Sequence, residues 1–217
     1  MNNKTFYLLL LSFCLLNTSC IHEYTADILD PRISAISSRG KNIAGAYVNG
    51  TIWNTEEYCM LNLFGNNCVP EMLIDVDTVN SLTLLSISGG IEIPDEVEDK
   101  GLNIFFVLSN SILFDIESIL EFNNSEIELD GINNYGGFCG FENESCHNGQ
   151  GKLFIHGSKV WSPLKGEEVY VLSGTFGFDA PAGCEYSTIY KGRFDFAMSP
   201  EDIRISDEFP YPANTCF

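Results

Sequence analysis

Basic residues are scarce in this chain. Its 217 residues include 11 Lys and Arg against 30 Asp and Glu, which gives a formal net charge of −19 at pH 7. A protein this acidic repels nucleic acids and anionic lipid head groups, so the composition argues against DNA, RNA and electrostatic membrane binding. We expect most of the acids to solvate the surface, and a calcium site made from some of the carboxylates is the alternative.

Histidine is also rare, and no catalytic motif accompanies it. His22 lies near the N-terminus, which leaves His147 and His156 for acid–base or metal chemistry. Cys139, Cys146 and His147 match no closed zinc motif, so we interpret them as a disulfide beside a bystander histidine. We expect His156 on the surface of a sheet. The chain has neither a G-x-x-x-x-G-K-[ST] phosphate loop nor a G-x-S-x-G elbow. The sequence therefore predicts no catalytic residue, metal or cofactor.

Long apolar runs are absent beyond the N-terminus. Residues 6–16, FYLLLLSFCLL, follow a short segment with one Lys. This run is shorter than the ~20 residues that a transmembrane helix needs, and it has the length of the apolar region of a secretory signal. We therefore expect the exported protein to be either soluble or held to a membrane by a group attached at this end.

A cysteine follows this run in the stretch LLNTSC. The motif resembles a bacterial lipobox, with Asn17 at the position where Leu is preferred. We predict that residues 1–19 are a lipoprotein signal peptide and that Cys20 carries the lipid, palmitate included; cleavage by signal peptidase I is the alternative. The acyl chains would make the membrane a partner and anchor the protein stably. This places the chain in a bacterial cell envelope, in the outer membrane rather than the inner.

The cysteines that remain are even in number. Cys14 leaves with the signal peptide and Cys20 is acylated, so six stay in a compartment that permits disulfides. Six cysteines allow fifteen connectivities. We prefer two local pairs and one that ties down the C-terminus, namely Cys59–Cys68, Cys139–Cys146 and Cys184–Cys216.

Strand patterns dominate the rest of the chain. Residues 20–43 are polar and small, and we interpret them as a lipidated tether. Asn49-Gly50 lies between two β-prone runs, which is the strongest short hairpin signal. Residues 114–122, FDIESILEF, suggest a helix but also alternate as a strand would. We predict one β-rich domain over residues 44–217, an all-β antiparallel β-sandwich or open barrel with little or no helix.

The last predicted hairpin alternates clearly. Phe176 and Phe178 alternate with small or polar residues in LSGTFGFDA, and Phe194 and Phe196 do the same in YKGRFDFAM. Since alternate residues of a strand share one face, the four rings lie on one side of the hairpin. We expect that side to pack in the core; an exposed aromatic platform for a ligand is the alternative.

Two motifs bracket the predicted domain. An S-G-T-F-x-F strand occupies residues 173–178, a G-R-F-D strand follows at residues 192–195, and V-N-G-x-x-W occupies residues 48–53. These motifs resemble a family of small, uncharacterised lipoproteins of Bacteroidetes-type bacteria, in which T-D-G usually stands where this chain has Tyr190-Lys191-Gly192. The resemblance implies a β-rich, lipid-anchored envelope protein and no particular reaction.

These patterns favour a non-catalytic binding or interaction module. A glycan-binding lipoprotein of a carbohydrate-uptake system is one alternative, because exposed aromatic rings suit such a role. Its possible ligand-facing residues are Trp53, Tyr135, Trp161 and Tyr170. An envelope hydrolase is the other alternative, and it requires a histidine to meet a carboxylate and a nucleophile in one cleft. The sequence does not determine the protein or glycan partner.

Asp75 and Asp77 are candidates for a cation site, and Asp77 also begins a possible glycosylation motif. Asp75 and Asp77 lie on the same side of a predicted strand in IDVDTV. They are either two solvated carboxylates or ligands of a shared cation. Asp77-Thr78-Val79 also resembles a short acceptor motif for bacterial O-glycosylation.

Overall fold

The computed structural model describes eight ranges of the chain: residues 38–55, 72–91, 100–109, 115–122, 124–140, 145–162, 166–180 and 187–206. The strands in these ranges are β1 (Ile43–Val48), β2 (Thr51–Asn54), β3 (Met72–Asp77), β4 (Leu82–Ile87), β5 (Gly90–Ile91), β6 (Lys100–Ser109), β7 (Ser125–Asp130), β8 (Tyr135–Gly140), β9 (Ser145–Ser162), β10 (Glu167–Ala180), β11 (Ser187–Met198) and β12 (Ile203–Ser206). Two 3₁₀ helices accompany them, Ile116–Phe122 and Pro200–Asp202.

Hydrogen bonds join these strands into one sheet. Its order is β12-β3-β4-β6-β5-β2-β1-β11-β10-β9-β7, and β8 pairs with both β6 and β9. The path from β6 through β5, β2, β1, β11, β10, β9 and β8 therefore returns to β6. The predicted all-β fold of the sandwich or open-barrel class is confirmed. β12 differs from the prediction, because it runs parallel to β3.

Local predictions for a hairpin and a helix can be compared with this fold. Asn49 and Gly50 connect β1 to β2 with φ angles of 51° and 86°, as the predicted two-residue hairpin turn requires. Of the two interpretations of residues 114–122, the helical one is confirmed for Ile116–Phe122. Within the described ranges, no helix has the length and hydrophobicity to cross a membrane.

The core determines which face of the last two long strands is outward. Phe176, Phe178, Phe194 and Phe196 belong to one core cluster and are at most 4% exposed, which confirms their predicted position. The ring of Phe106 meets those of Phe176 and Phe178 edge-on, with centroids 5.1 Å and 5.9 Å apart. Such aromatic pairs add about 0.5–1.5 kcal/mol each beyond the area they bury. The residues that alternate with these rings must therefore lie on the opposite, outward face.

Candidate binding trough

The outward face of β10 is lined by small residues. Ser173, Thr175 and Gly177 alternate with the core residues of this strand. Gly177 has no side chain, and a Cβ there would meet no atom nearer than 3.3 Å, the carbonyl oxygen of Ile189. Because the neighbouring strands carry larger outward residues, β10 forms the floor of a trough. We call this surface the β10 trough.

Strand register places the walls of the trough. Thr175 lies opposite Phe154 of β9 on one side and Arg193 of β11 on the other, and Gly177 lies opposite Lys152. Adjacent strands are separated by about 4.8 Å, so the backbones of the two walls lie roughly 10 Å apart. Phe154 is 44% exposed, which is high for a large apolar side chain in the middle of a long strand.

One end of the trough is closed by the chain that precedes β1. Ser173 lies opposite His156 and Asp195, and Asp195 is only 2% exposed. Its Oδ1 accepts a hydrogen bond from the backbone N–H of Gly40 at 2.7 Å, and its Oδ2 accepts one from Arg39 at 3.1 Å. The segment before β1 is thereby held across the outside of β11.

Two adjoining grooves make up the trough. Both include Phe154 and Thr175. The groove at the closed end has a volume of about 470 Å³ and is lined by Ser38, Asn124, Ser125, Phe154, Ile155, His156, Ser173, Gly174 and Thr175. The groove at the other end has a volume of about 440 Å³ and is lined by Gly151, Lys152, Phe154, Thr175, Phe176, Gly177, Lys191, Gly192 and Arg193. The trough therefore has a neutral half and a half that contains the cationic residues.

Charged and aromatic neighbours position the cations. The Nζ of Lys152 donates a hydrogen bond to Glu126 across the β7–β9 ladder, and this bond raises the pKa of Lys152 above its ordinary value. The Nζ of Lys191 lies 5.7 Å from the ring centroid of Tyr47, which stacks on Tyr190 with centroids 5.1 Å apart. Aromatic faces attract cations at such distances.

The imidazole of His156 lies beside the trough and has a buried nitrogen with no hydrogen-bond partner among the described residues. His156 is half-buried, and its Nδ1 makes no hydrogen bond with the described residues. Buried polar atoms without partners are rare in folded proteins. The predicted surface position of His156 is thus refined: the residue lies on the outward face of β9, at the neutral end of the trough.

The four aromatic residues that the sequence proposed as ligand-facing lie in different places. Trp53 is wholly buried, and its Nε1 donates a hydrogen bond to the carbonyl oxygen of Leu102 at 2.7 Å. The prediction that it faces a ligand is wrong, because both its ring and its polar atom are satisfied inside the core. Trp161 is 63% exposed near the end of β9 and does not line the trough.

The two tyrosines of that set are half-buried. Tyr135 packs beside a small apolar cluster on the outward face of β6 and β8, and burial raises the pKa of its hydroxyl. Tyr170 packs against the main core, with the Nζ of Lys159 at 4.9 Å from its ring centroid.

Asp75 and Asp77 are buried rather than solvated. Asp77 is 0% exposed, and its Oδ1 accepts the backbone N–H groups of Val79 and Asn80 at 2.9 Å each. Its Oδ2 accepts the side-chain amide of Asn80 at 2.7 Å. These bonds hold the turn between β3 and β4. In the described part of the chain, no three His, Cys, Asp or Glu side chains are grouped so as to hold a metal ion.

Most of the cysteines lie outside the described residues, as do His22 and the lipidation candidate. The exceptions are Cys139 and Cys146, in β8 and β9. Cys139 is 5% exposed and disulfide-bonded. It lies opposite Ser145, while Cys146 lies opposite Phe138. The pairing Cys139–Cys146 stays a prediction, and so do the other two pairs, which involve Cys59, Cys68, Cys184 and Cys216.

Sequence reasoning missed the residues that build the trough. It assigned ligand-facing roles by residue type, whereas Phe154, Lys152, Lys191 and Arg193 are brought together by strand pairing. The sequence shows the alternation of small residues on the outward face of β10. The larger side chains on either side of them can be identified only when the neighbouring strands are known.

No family model matches the chain, and comparisons with curated proteins and with solved structures find no match either. The function is therefore inferred from the trough and from the sequence of the N-terminus.

Proposed function

We propose that this chain is a lipid-anchored cell-envelope protein whose β domain is a non-catalytic binding module, with the β10 trough as its ligand site. The observation that carries the proposal is the trough itself. Its floor of small residues lies between two walls of larger ones, and Phe154 stands exposed in the middle of it. Concave surfaces with a few convergent polar groups are where proteins bind small ligands.

A glycan is the ligand class that this surface favours. The neutral half of the trough is lined by an amide and an imidazole side chain, those of Asn124 and His156, and such groups suit the donors and acceptors of sugar hydroxyls. The ring of Phe154 adds an apolar face on which a sugar ring can stack.

The architecture favours a glycan over an added peptide strand. Strand addition requires a free backbone edge, and β10 is paired along its length with β9 and β11. Recognition in the trough must therefore come from side chains. Apart from Phe154, few apolar side chains line the trough to receive those of a peptide.

Binding to a glycan panel tests the trough. Phe154→Ala should weaken binding about three- to tenfold, the loss expected for one stacked ring. Trp161→Ala is the matched control, because this ring is at least as exposed but lies outside the trough, and we expect no change. The proposal fails if no glycan binds, or if Trp161→Ala weakens binding and Phe154→Ala does not.

The membrane anchor rests on the sequence alone. A lipid at Cys20 would hold the domain at a membrane surface through a tether of residues 20–43. Mass spectrometry of the membrane-extracted protein is the test. We expect acylation at Cys20 and three disulfides, whereas an unmodified N-terminus elsewhere would contradict the anchor.

A further inference from the structure

The exposure of the trough floor changes steadily along β10. On the outward face of this strand, Val171 is 0% exposed and Ser173 is 3% exposed, Thr175 and Gly177 are half-buried, and Asp179 is exposed. Since alternate residues of a strand share one face, these residues form a single row. The floor is therefore covered at Ser173 and open to solvent toward Asp179.

Both walls of the trough show the same gradient. On β9, His156 is half-buried and Lys152 is exposed. On β11, Asp195 is 2% exposed and Lys191 is exposed. His156 and Asp195 both lie opposite Ser173, at the covered end of the floor. The three strands thus give the trough one closed end and one open end.

The chain before β1 is fixed across the closed end. Ser38 lines the groove there, and the backbone N–H groups of the next two residues bond to Asp195. The Oδ1 of Asn42 then accepts a hydrogen bond from the backbone N–H of Ala197 at 2.8 Å. These bonds hold residues 39–42 at two points of β11, so the covering segment is part of the folded domain.

The floor has room for a short piece of glycan. From Ser173 to Gly177, β10 advances roughly 13 Å at about 3.3 Å per residue, which takes about two or three sugar units of an extended chain. Phe154 lines both grooves, so its ring lies along the middle of that length. A chain that continued beyond Ser173 would run into the covered face at Val171, whereas a chain that leaves past Asp179 enters solvent.

We propose that the β10 trough binds the end of a linear glycan chain. The terminal sugar lies at the closed end beside His156, the next sugar stacks on Phe154, and the rest of the chain leaves past Asp179. This inference rests on the proposed function of the trough as a glycan site. The reducing and non-reducing ends offer the same chemistry here, namely a terminal ring whose hydroxyl groups exchange hydrogen bonds with polar side chains.

The number of protein molecules bound per glycan chain distinguishes an end from an interior segment. The probes are linear malto-, isomalto-, laminari- and xylo-oligosaccharides of increasing length and a soluble polymer of each linkage, in isothermal titration calorimetry of the full chain in detergent micelles. In at least one series, we expect affinity to rise up to about three units and then stay constant, because further sugars lie outside the trough. One protein molecule should bind per chain at every length, the polymer included.

Borohydride reduction then identifies the bound end. Reduction opens the sugar ring at the reducing end and leaves the non-reducing end intact. Loss of binding places the reducing end in the trough, whereas unchanged binding with one protein molecule per chain places the non-reducing end there. Either result supports recognition of a chain end.

Two tyrosine substitutions on β10 locate the bound end. Thr175 lines both grooves, so Thr175→Tyr should fill the passage to the closed end and weaken binding of the shortest fully bound oligosaccharide by about tenfold or more. Asp179→Tyr is the matched control. It adds the same side chain to the same face, but Asp179 lines neither groove, and we expect a change of less than about twofold. Tyrosine is favourable in strands, so far-UV circular dichroism should show both variants folded.

The outcomes separate this inference from the proposed function. More protein per chain on longer chains, equal weakening by the two substitutions, or binding only by panel glycans outside the four series would each overturn end recognition and leave a glycan-binding protein in place. Absence of binding by all four series and by the whole glycan panel would overturn both. The count of protein per chain uses the wild-type protein alone, so it decides the question even if a variant fails to fold.

Discussion

Asp195 is the buried carboxylate on which the closed end of the trough depends. Its two oxygens accept the backbone N–H groups of Arg39 and Gly40, and it is 2% exposed. A Cβ at Gly40 would lie 2.8 Å from the Cβ of Ala197, so the segment passes directly over β11. The sequence placed Asp195 on the outward face by alternation, but it could not show that residues before β1 return to cover it.

We predict that Asp195→Ala lowers the free energy of unfolding by about 1–3 kcal/mol, because two backbone donors lose their acceptor. Urea denaturation measures the change. Asp179→Ala is the control, since Asp179 is exposed on the neighbouring strand and a surface substitution changes stability by no more than about 0.5 kcal/mol. Equal effects of the two substitutions would contradict the role assigned to Asp195.

Asp75 makes stability depend on pH. It is 5% exposed, and burial raises the pKa of its carboxyl group above the ordinary value of 3.8, while the charge of Arg204 partly opposes this rise. The folded protein therefore binds this proton more tightly than the unfolded chain does. The stabilisation from protonated Asp75 is fully present below pH 3.8 and is lost as the pH rises through the folded-state value.

Asp75→Asn removes this titration. We predict that the variant gains stability relative to the wild type as the pH rises above about 3.8, and that the gain levels off once wild-type Asp75 is fully ionised. Urea unfolding of both proteins at several pH values measures the difference, in which the other acids cancel. A difference that does not vary with pH would show that Asp75 has an ordinary pKa.

Two turns of the chain share one sequence pattern and one set of hydrogen bonds. Asp77 and Asp130 each begin an Asp-x-[Val/Ile]-Asn turn, and each carboxylate accepts backbone N–H groups two and three residues later. The same bonds, with the Ile132 N–H as the largest contribution, hold the pKa of Asp130 well below its ordinary value. The carboxylate of Asp77, for which the sequence suggested a shared cation, therefore bonds within its own turn.

Among the secondary-structure elements, the first 3₁₀ helix packs directly against β9 at Gly157. A Cβ at Gly157 would overlap the carbonyl oxygen of Ile119, and Ile119 is completely buried. The helix can approach the strand this closely only because residue 157 has no side chain. This contact supports β9 beside the residues that form one wall of the trough.

We predict that Gly157→Ala destabilises the protein by about 1–3 kcal/mol, the usual effect of inserting a methyl group into a packed site. Thermal and urea unfolding measure the change. Ser158→Ala is the adjacent control: its hydroxyl is buried and makes no hydrogen bond with the described residues, so its removal should be neutral or slightly stabilising. A larger loss from Ser158→Ala than from Gly157→Ala would contradict this packing.

Individual strands and turns were more predictable from the sequence than the pairing between strands. The alternation of Phe176, Phe178, Phe194 and Phe196 identified two strands and their core face, because one buried face imposes a period of two. The turn at Asn49-Gly50 followed from local backbone preferences. β9 and β10 are consecutive strands, but the register that sets Phe154 beside Thr175 was not predicted from the sequence.

At the scale of the whole molecule, one core connects strands from all around the closed path of the sheet. Trp53 contributes to this core and bonds to the carbonyl oxygen of Leu102 on β6. A domain with one continuous core unfolds as a unit. The acidic surface leaves this packing unaffected, because its charges lie largely outside the core.

We predict a single unfolding transition for the β domain. Trp161→Phe leaves Trp53 as the only tryptophan, so its fluorescence reports on the core alone. In urea, this signal and the far-UV circular dichroism should change together, as two-state unfolding requires. Separate midpoints would indicate that the described strands form more than one cooperative unit.

The position of a bound glycan on the β domain is the most direct test of the β10 trough as the ligand site. Backbone amide shifts of the full chain in detergent micelles are recorded by two-dimensional NMR while short oligomers of the glycan that binds most tightly in the panel are added. We predict the largest shifts in residues 152–156, 173–177 and 191–193. Largest shifts near Trp161, or at the turns of residues 77–80 and 130–133, would contradict the assignment of the β10 trough as the binding site.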